Sequence, residues 1–140
     1  MSHHHLATVA ATLAVVFLLA ACGGRSDTAG GHGGGHTASE SIAEPVDGAS
    51  EITVNAVDID FKPDTIEIVA GEPVNVTVVN EGRVLHDFTL EEANVHMNVE
   101  PGESKTTSLT IDEPGRYTAE CTVESHAEAG MTIDVVVAEP

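Results

Sequence analysis

Apolar and polar residues alternate along the C-terminal part of this chain, and a period of two predicts β-strands. Ile52, Val54 and Ala56 fall on one face of a first strand, and Ile59 and Phe61 follow on a shifted period that indicates a bulge or bend. Other alternating or apolar runs have the length of single strands. They predict strands at residues 65–69, 74–79, 85–90, 105–111, 116–121 and 131–138.

Turn signals separate these runs. Pro63, Pro101-Gly102 and Pro114-Gly115 interrupt the alternation, because proline lacks a backbone donor and glycine adopts turn conformations freely. Short strands at regular spacing between such turns predict an all-β domain, a Greek-key β-sandwich of about seven or eight strands. Residues 91–99 are left open between a loop and a short helical turn, and no other helix is predicted in this domain.

The first residues follow a different pattern. Residues 6–21 form an apolar run without a charged side chain, and this run ends in small residues just before Cys22. Its length is typical of a secretory signal peptide, residues 1–21, although an uncleaved anchor helix is the alternative. The segment Leu19-Ala20-Ala21-Cys22 resembles the lipobox of bacterial and archaeal lipoproteins. We therefore expect an exported protein that is lipidated at Cys22 and held at the outer face of the cytoplasmic membrane or in the periplasm.

Residues 22–50 are rich in Gly, Ala, Ser, Thr and His and show no apolar period. Such a segment cannot bury enough surface to fold, so it is interpreted as a flexible tether that joins the lipid to a domain at residues 51–140. His-rich tracts often bind metal, which leaves open a metal role for His32 and His36. A plain linker is the default interpretation.

Candidate chemistry lies in residues 121–131, where Cys121, His126 and Met131 recur at five-residue intervals. His86 lies at the start of an earlier predicted strand. Thiolate and thioether suit Cu(I) and imidazole suits both oxidation states, so two His, one Cys and a weak axial Met favour one type 1 copper ion. With Cys22 lipidated, Cys121 is the only thiol of an exported chain, and metal binding explains its presence. His96-Met97 is a second candidate, either a rival ligand pair or a transient copper entry point. An exposed loop is the favoured interpretation, because nothing nearby completes a second site.

These residues resemble the cupredoxin family, particularly small plastocyanin-like or halocyanin-like lipoproteins. The resemblance covers residues 51–140 and depends on residues 84–88 (VLHDF), 99–104 (VEPGES), 114–117 (PGRY) and 121–131 (CTVESHAEAGM). It implies copper at one end of the sandwich, held by His86, Cys121, His126 and Met131. It also implies that Asp87 and Thr122 tie the ligand loops together by hydrogen bonds. The chain departs from the family pattern at residues 124–125, which are Glu-Ser where many relatives have Pro-Gly.

The function that follows is that of a membrane-tethered, extracytoplasmic blue copper protein, which shuttles single electrons between a donor and an acceptor and is expected to be a monomer. An enzyme is not expected, because the acidic pairs of the chain have no nucleophile or oxyanion device beside them. A single available thiol also excludes a dinuclear CuA centre. The alternatives are a lipoprotein that stores or delivers copper, and a metal-free adhesion or sensor sandwich.

The charge of the chain bears on its partners. Five basic residues stand against 23 acidic residues, which gives a net charge of -18. Such a surface repels nucleic acid and can steer the encounter with a basic redox partner, for example a basic-surfaced cytochrome or a membrane oxidase. Solubility or adaptation to salt is the alternative reason for this charge.

Overall fold

The computed structural model describes residues 39–140, and within them the chain forms nine strands in two sheets. This arrangement confirms the predicted all-β sandwich. Within these residues no helix has the length and apolar character needed to span a membrane. The predicted signal peptide, Cys22, His32 and His36 lie outside the described residues. The strands are β1 Ser50–Ala56, β2 Phe61–Lys62, β3 Thr65–Val69, β4 Val74–Asn80, β5 His86–Leu90, β6 Val95–Val99, β7 Ser104–Leu109, β8 Gly115–Glu120 and β9 Thr132–Ala138.

One sheet has the strand order β2-β1-β4-β7 and the other has the order β3-β9-β8-β5-β6. β1 pairs with β4 and β3 pairs with β9 in parallel, while the other pairs are antiparallel. The chain therefore crosses between the two sheets repeatedly, as Greek-key connections require. The inner faces are closed mainly by valine, isoleucine and leucine, with one edge-to-face contact between Phe61 and Phe88 at 6.1 Å between ring centroids.

Residues 91–99, left open by the sequence, contain both a short helical turn and a strand. Glu91–Ala93 form one turn of 3-10 helix, and Asn94, with φ of 51°, ends it in the left-handed conformation. β6 then pairs with β5 and buries Val95, Met97 and Val99. The expectation of an exposed loop at His96 and Met97 is therefore wrong, because pairing with β5 turns the brief alternation into a strand.

The phase change at Ile59 marks a turn. The backbone N–H of Val57 donates to the carbonyl oxygen of Asp60 at 3.0 Å, and β2 then folds back antiparallel to β1. Ile59 is 37% exposed, whereas Phe61 is fully buried. The two apolar residues thus belong to different environments, and the period shifts because the chain reverses between them.

Residues 39–49, predicted as the end of the tether, lie against the domain and are called the strap below. The strap crosses from β6 to β7 and then to β4 through backbone and side-chain hydrogen bonds, which join Ser41 to His96, Ala43 to Thr107 and Ser108, and Val46 to Asn75. Its ordered path begins well before the predicted boundary at residue 51. Hydrophobic periodicity could not reveal it, because polar groups make most of these contacts.

Candidate metal centre

Three predicted ligands converge at one end of the sandwich. The Sγ atom of Cys121 lies 3.3 Å from Nδ1 of His126 and 3.9 Å from Nδ1 of His86. The two Nδ1 atoms are 3.3 Å apart, and the imidazole rings are tilted by 49°. Cys121 and His86 are fully buried, and His126 is partly exposed. Residues 35 and 40 positions apart in sequence thus present their donor atoms to a single point.

The spacing of these atoms fits a metal ion. A point equidistant from three atoms at these separations lies ~2.0 Å from each, which is close to metal–nitrogen and slightly below metal–sulfur bond lengths in proteins. A thiolate with two imidazoles in a trigonal arrangement is the equatorial donor set of a blue copper centre. The residues present therefore fit one copper ion.

Each donor is placed by a strand or by the loop between two strands. His86 is the first residue of β5, Cys121 follows β8 directly, and Met131 directly precedes β9. The N–H of Cys121 donates to the carbonyl oxygen of Met131 at 3.1 Å, and the N–H of Met131 donates to that of His126 at 3.0 Å. Met131 is fully buried. The main chain thus holds the fourth predicted ligand beside two of the others.

The loop between Cys121 and Met131 is wound into successive tight turns. The N–H of Ala129 donates to the carbonyl oxygens of Ser125 and His126, each at 3.1 Å. Ser125 has φ of 69°, in the left-handed region that side chains other than glycine rarely adopt. Ser125 is one of the two residues at which the sequence departs from the pattern of the family that it resembles. The substituted loop therefore keeps the backbone conformation that glycine would adopt more easily.

Asp87 ties the ligand loop to β5. Its Oδ1 accepts from the N–H groups of Thr122 at 2.6 Å and Val123 at 3.2 Å, and its Oδ2 accepts from the Thr122 hydroxyl at 2.7 Å. Its own N–H points at Sγ of Cys121, 3.4 Å away. Burial raises the pKa of Asp87, but hydrogen bonds from Thr122 and Thr89 outweigh burial and hold the pKa below its ordinary value.

Burial favours the neutral forms of Cys121 and His86 in the metal-free protein. Burial raises the pKa of the Cys121 thiol to about 12. Burial, with a smaller contribution from His126, lowers the pKa of His86. The Cys121 sulfur would bind a cation as the thiolate and would release its proton on binding, which would reverse this preference.

Asn80 and Gly82 also lie at the site, although neither is a predicted site residue. Asn80 Nδ2 donates to the carbonyl oxygens of Val84 and Val99, each at 2.8 Å, and its Oδ1 accepts from the N–H of Gly82 at 2.9 Å. A Cβ atom at Gly82 would lie 3.2 Å from Nε2 of His86. The residues Asn80-Glu81-Gly82 are of the types that favour turns, but no local pattern indicates their contact with His86.

Of the remaining predicted residues, some lie beside the three donors and others do not. The structure brings Asp87 and Thr122 together beside the three donors, as the family resemblance implied. His96 does not reach the donor atoms; its Nδ1 lies 3.4 Å from Oδ2 of Asp87. Cys22, with the proposed lipid, lies outside the residues that the structure describes.

Comparison with known sequences supports the same centre. Residues 10–133 match the sequence profile of a family described as a cupredoxin-like domain. The chain is 35% identical over 76 residues to the copper-resistant cuproprotein CopI of Pseudomonas aeruginosa. These residues are 54% of this chain and 39% of CopI, so the chain spans less than half the length of this curated relative.

Solved structures share the fold. Auracyanin B superposes with a TM-score of 0.60 at 19% identity, over 71% of this chain and 96% of that protein. The Cu-containing nitrite reductase NirK from Thermus scotoductus SA-01 superposes with a TM-score of 0.55 at 24% identity, over 65% of this chain and 28% of the reductase. At these identities the likeness concerns the fold, which serves a whole protein in one case and part of an enzyme in the other.

Proposed function

This chain belongs to the cupredoxin-like domain family, and we propose that it is a type 1 blue copper protein that carries single electrons between redox partners outside the cytoplasm. The observation that carries the proposal is the convergence of Cys121 Sγ with the Nδ1 atoms of His86 and His126. Copper in such a site supplies a Cu(I)/Cu(II) couple. The protein then acts as a carrier rather than an enzyme.

The ligand roles follow from residue type and position. His86 and His126 would hold copper through Nδ1, Cys121 through its thiolate and Met131 through its thioether sulfur. Rapid electron exchange requires that the donors move little when the charge of the metal changes. The hydrogen bonds that the Asp87 carboxylate accepts from the ligand loop oppose such movement, since they join the loop to a paired strand of the sandwich.

His126 offers the route to a partner. It is the partly exposed member of the three donors, whereas Cys121 and His86 are fully buried. Its ring therefore connects the buried centre to the surface, and we propose that electrons pass through its exposed edge. With a net charge of -18, the protein favours a basic donor or acceptor, such as a basic-surfaced cytochrome or membrane oxidase, and disfavours nucleic acid.

The membrane attachment is proposed from the N-terminal sequence. A signal peptide at residues 1–21 followed by Cys22 is typical of a lipoprotein, and residues between Cys22 and the strap would form its tether. Metabolic labelling with a fatty acid tests this attachment. Label on the protein but not on Cys22→Ser supports it, and equal labelling of both contradicts it.

Copper storage or delivery is the second candidate, and the similarity to a copper-resistant cuproprotein favours it. The two candidates differ in what leaves the protein. A carrier keeps its copper through repeated oxidation and reduction, whereas a delivery protein transfers copper to an acceptor. Counting the copper retained after many redox cycles in the presence of a Cu(I) chelator distinguishes them.

A Cu(II) titration followed by visible absorption and electron paramagnetic resonance tests the centre itself. We expect a strong thiolate-to-copper band that saturates at one copper, with narrow hyperfine splitting. Cys121→Ser should abolish the band and Cys22→Ser, the matched control, should keep it. Weak binding that is insensitive to Cys121→Ser would overturn the proposal.

A further inference from the structure

His96 lies beside the metal centre without touching a ligand. It belongs to the outward-facing side of β6, opposite Thr89 of β5, and its side chain is 15% exposed. Its Nδ1 lies 2.8 Å from the hydroxyl oxygen of Thr89 and 3.4 Å from Oδ2 of Asp87. The imidazole therefore faces the same carboxylate that holds the ligand loop.

The number of protons decides the direction of these hydrogen bonds. Thr89 donates its hydroxyl proton to Oδ2 of Asp87 at 2.7 Å, because an ionised carboxylate only accepts. A hydroxyl has one proton, so the contact with His96 must use a proton on Nδ1. The hydrogen bonds thus run in one direction, from His96 through Thr89 to Asp87. Successive bonds of this kind strengthen one another.

Asp87 passes this constraint to the copper ligands. Its carboxylate accepts from the N–H groups of Thr122 and Val123, the two residues after Cys121. Its main-chain N–H approaches Sγ of Cys121 at 3.4 Å. Asp87 therefore contacts the start of the ligand loop through its carboxylate and the sulfur through its main-chain N–H.

The strap holds His96 from its other side. The N–H of Ser41 donates to the carbonyl oxygen of His96 at 2.8 Å, and the N–H of His96 donates to that of Ser41 at 2.9 Å. Oε1 of Glu40 accepts from the N–H of Asn98 and from Nζ of Lys105, each at 2.9 Å. The strap is therefore hydrogen-bonded at His96 itself and again two residues farther along β6.

We propose that His96 is a positioning residue of the metal centre, which joins the strap to the ligand loop through Thr89 and Asp87. The effects on copper retention and midpoint potential rest on the proposed function. The effect on the ligand loop is a property of the metal-free protein and does not rest on it. In the part of the chain that the structure describes, Nε2 of His96 is buried without a hydrogen-bond partner. An apolar side chain could fill this space without burying an unpaired nitrogen. The hydrogen bond of Nδ1 is therefore what distinguishes histidine from an apolar residue at this position.

Three substitutions separate hydrogen bonding from packing. His96→Phe fills the space and removes the donor. His96→Asn places an amide nitrogen near the position of Nδ1, and His96→Gln places one near the position of Nε2. Asn98→Ala, on the same face of β6, is the matched control, because its backbone bond to Glu40 is kept.

Amide hydrogen exchange of the metal-free protein is the first measurement. We expect His96→Phe and His96→Gln to accelerate exchange at Thr122 and Val123 by about tenfold, with little change in β1 and β4. His96→Asn and Asn98→Ala should stay within about twofold of the parent protein. If His96→Phe unfolds the whole sandwich, the pair His96→Asn and His96→Gln decides. Equal exchange in that pair would overturn the proposal.

Copper retention and the midpoint potential provide the second measurement. His96→Phe should lose copper to a chelator about tenfold faster and shift the midpoint potential, whereas His96→Asn should restore both, since partners of metal ligands commonly change affinity by about 10–100-fold. Unchanged retention and potential in His96→Phe, with normal blue copper present, would overturn the proposal. Absence of blue copper in every variant would instead refute the proposed function, while amide exchange would still test His96.

The strap is tested separately by Ser41→Pro, which removes the N–H that donates to His96. If the strap acts through His96, exchange at Thr122 and Val123 should accelerate in this variant as well. Faster exchange confined to the strap would contradict the coupling and would limit the role of His96 to the sandwich.

Discussion

Asp87 and Thr122 are joined by two hydrogen bonds, one from the backbone N–H of Thr122 to Oδ1 at 2.6 Å and one from its hydroxyl to Oδ2 at 2.7 Å. The pair connects β5, which begins with His86, to the first residue after Cys121. The same two hydrogen bonds therefore hold the backbone next to His86 against the backbone next to Cys121. The stability of the ligand loop depends on a carboxylate that is itself 1% exposed.

Replacing Asp87 by Asn should lower the free energy of unfolding by about 1–3 kcal/mol, because an amide cannot accept on both sides and leaves buried donors unpaired. Urea denaturation of the metal-free protein measures the change. Asp134→Asn is the control, since its exposed pair with Arg116 should contribute at most about 1 kcal/mol. Equal effects of the two substitutions would contradict the role assigned to Asp87.

The contribution of Asp87 should also depend on pH. Its pKa in the folded protein lies below that in the unfolded chain, so the stabilisation is complete above about pH 4 and is lost as the pH falls through the lowered folded pKa. The difference in unfolding free energy between the parent protein and Asp87→Asn should be constant from about pH 5 to 7 and shrink in stronger acid. A difference that instead grows as the pH falls from about 6 to 4 would show that folding raises this pKa.

Ser125→Gly should stabilise the ligand loop. A left-handed backbone costs about 1–2 kcal/mol for a residue with a Cβ atom, and the flexibility of glycine offsets part of this gain. We expect a net gain of up to about 1 kcal/mol and slower loss of copper. Ala129→Gly, in the same loop but without a positive φ, should instead cost about 0.5–1 kcal/mol. Thermal unfolding of both variants makes the comparison, and a loss of stability in Ser125→Gly would contradict it.

Met131→Leu should keep the blue colour and raise the midpoint potential by an amount on the order of tens of millivolts. Removing a weak axial donor destabilises Cu(II) more than Cu(I). Met97→Leu is the matched control, because Met97 is equally buried on β6 but is not a predicted ligand. Voltammetry that gives the same shift for both would assign Met131 to packing.

Gly82→Ala should weaken copper binding by displacing His86. The added Cβ would lie 3.2 Å from Nε2 of His86 and 3.2 Å from Oδ1 of Asn80, closer than ordinary van der Waals contact. In Gly115→Ala the three atoms nearest to the added Cβ all belong to Tyr117, at 3.4 Å or more, and this variant should bind copper normally. Competition with a chelator measures the affinities. Normal binding by Gly82→Ala would mean that His86 moves without cost.

The sequence identified the four predicted ligands because their residue types and the short spacing within 121–131 carry the chemistry directly. It identified most strands for a similar reason, since alternation over five to seven residues is a local property. The strand at residues 95–99 was not predicted, because its alternation is brief and only pairing with β5 makes it a strand. The position of the strap against the domain was not predicted, because its contacts are polar and follow no hydrophobic period.

By itself, the sequence determined the all-β class and the kinds of atoms available to a metal. Tertiary structure decided which atoms meet. Whether Nδ1 of His86 comes within 3.9 Å of Cys121 depends on strands that pair across long loops, and no local pattern contains that distance. The same holds for His96, whose position over Asp87 follows from the β5–β6 register. Local propensity selects elements, whereas packing and hydrogen bonding between distant segments set the angstrom-scale geometry of the site.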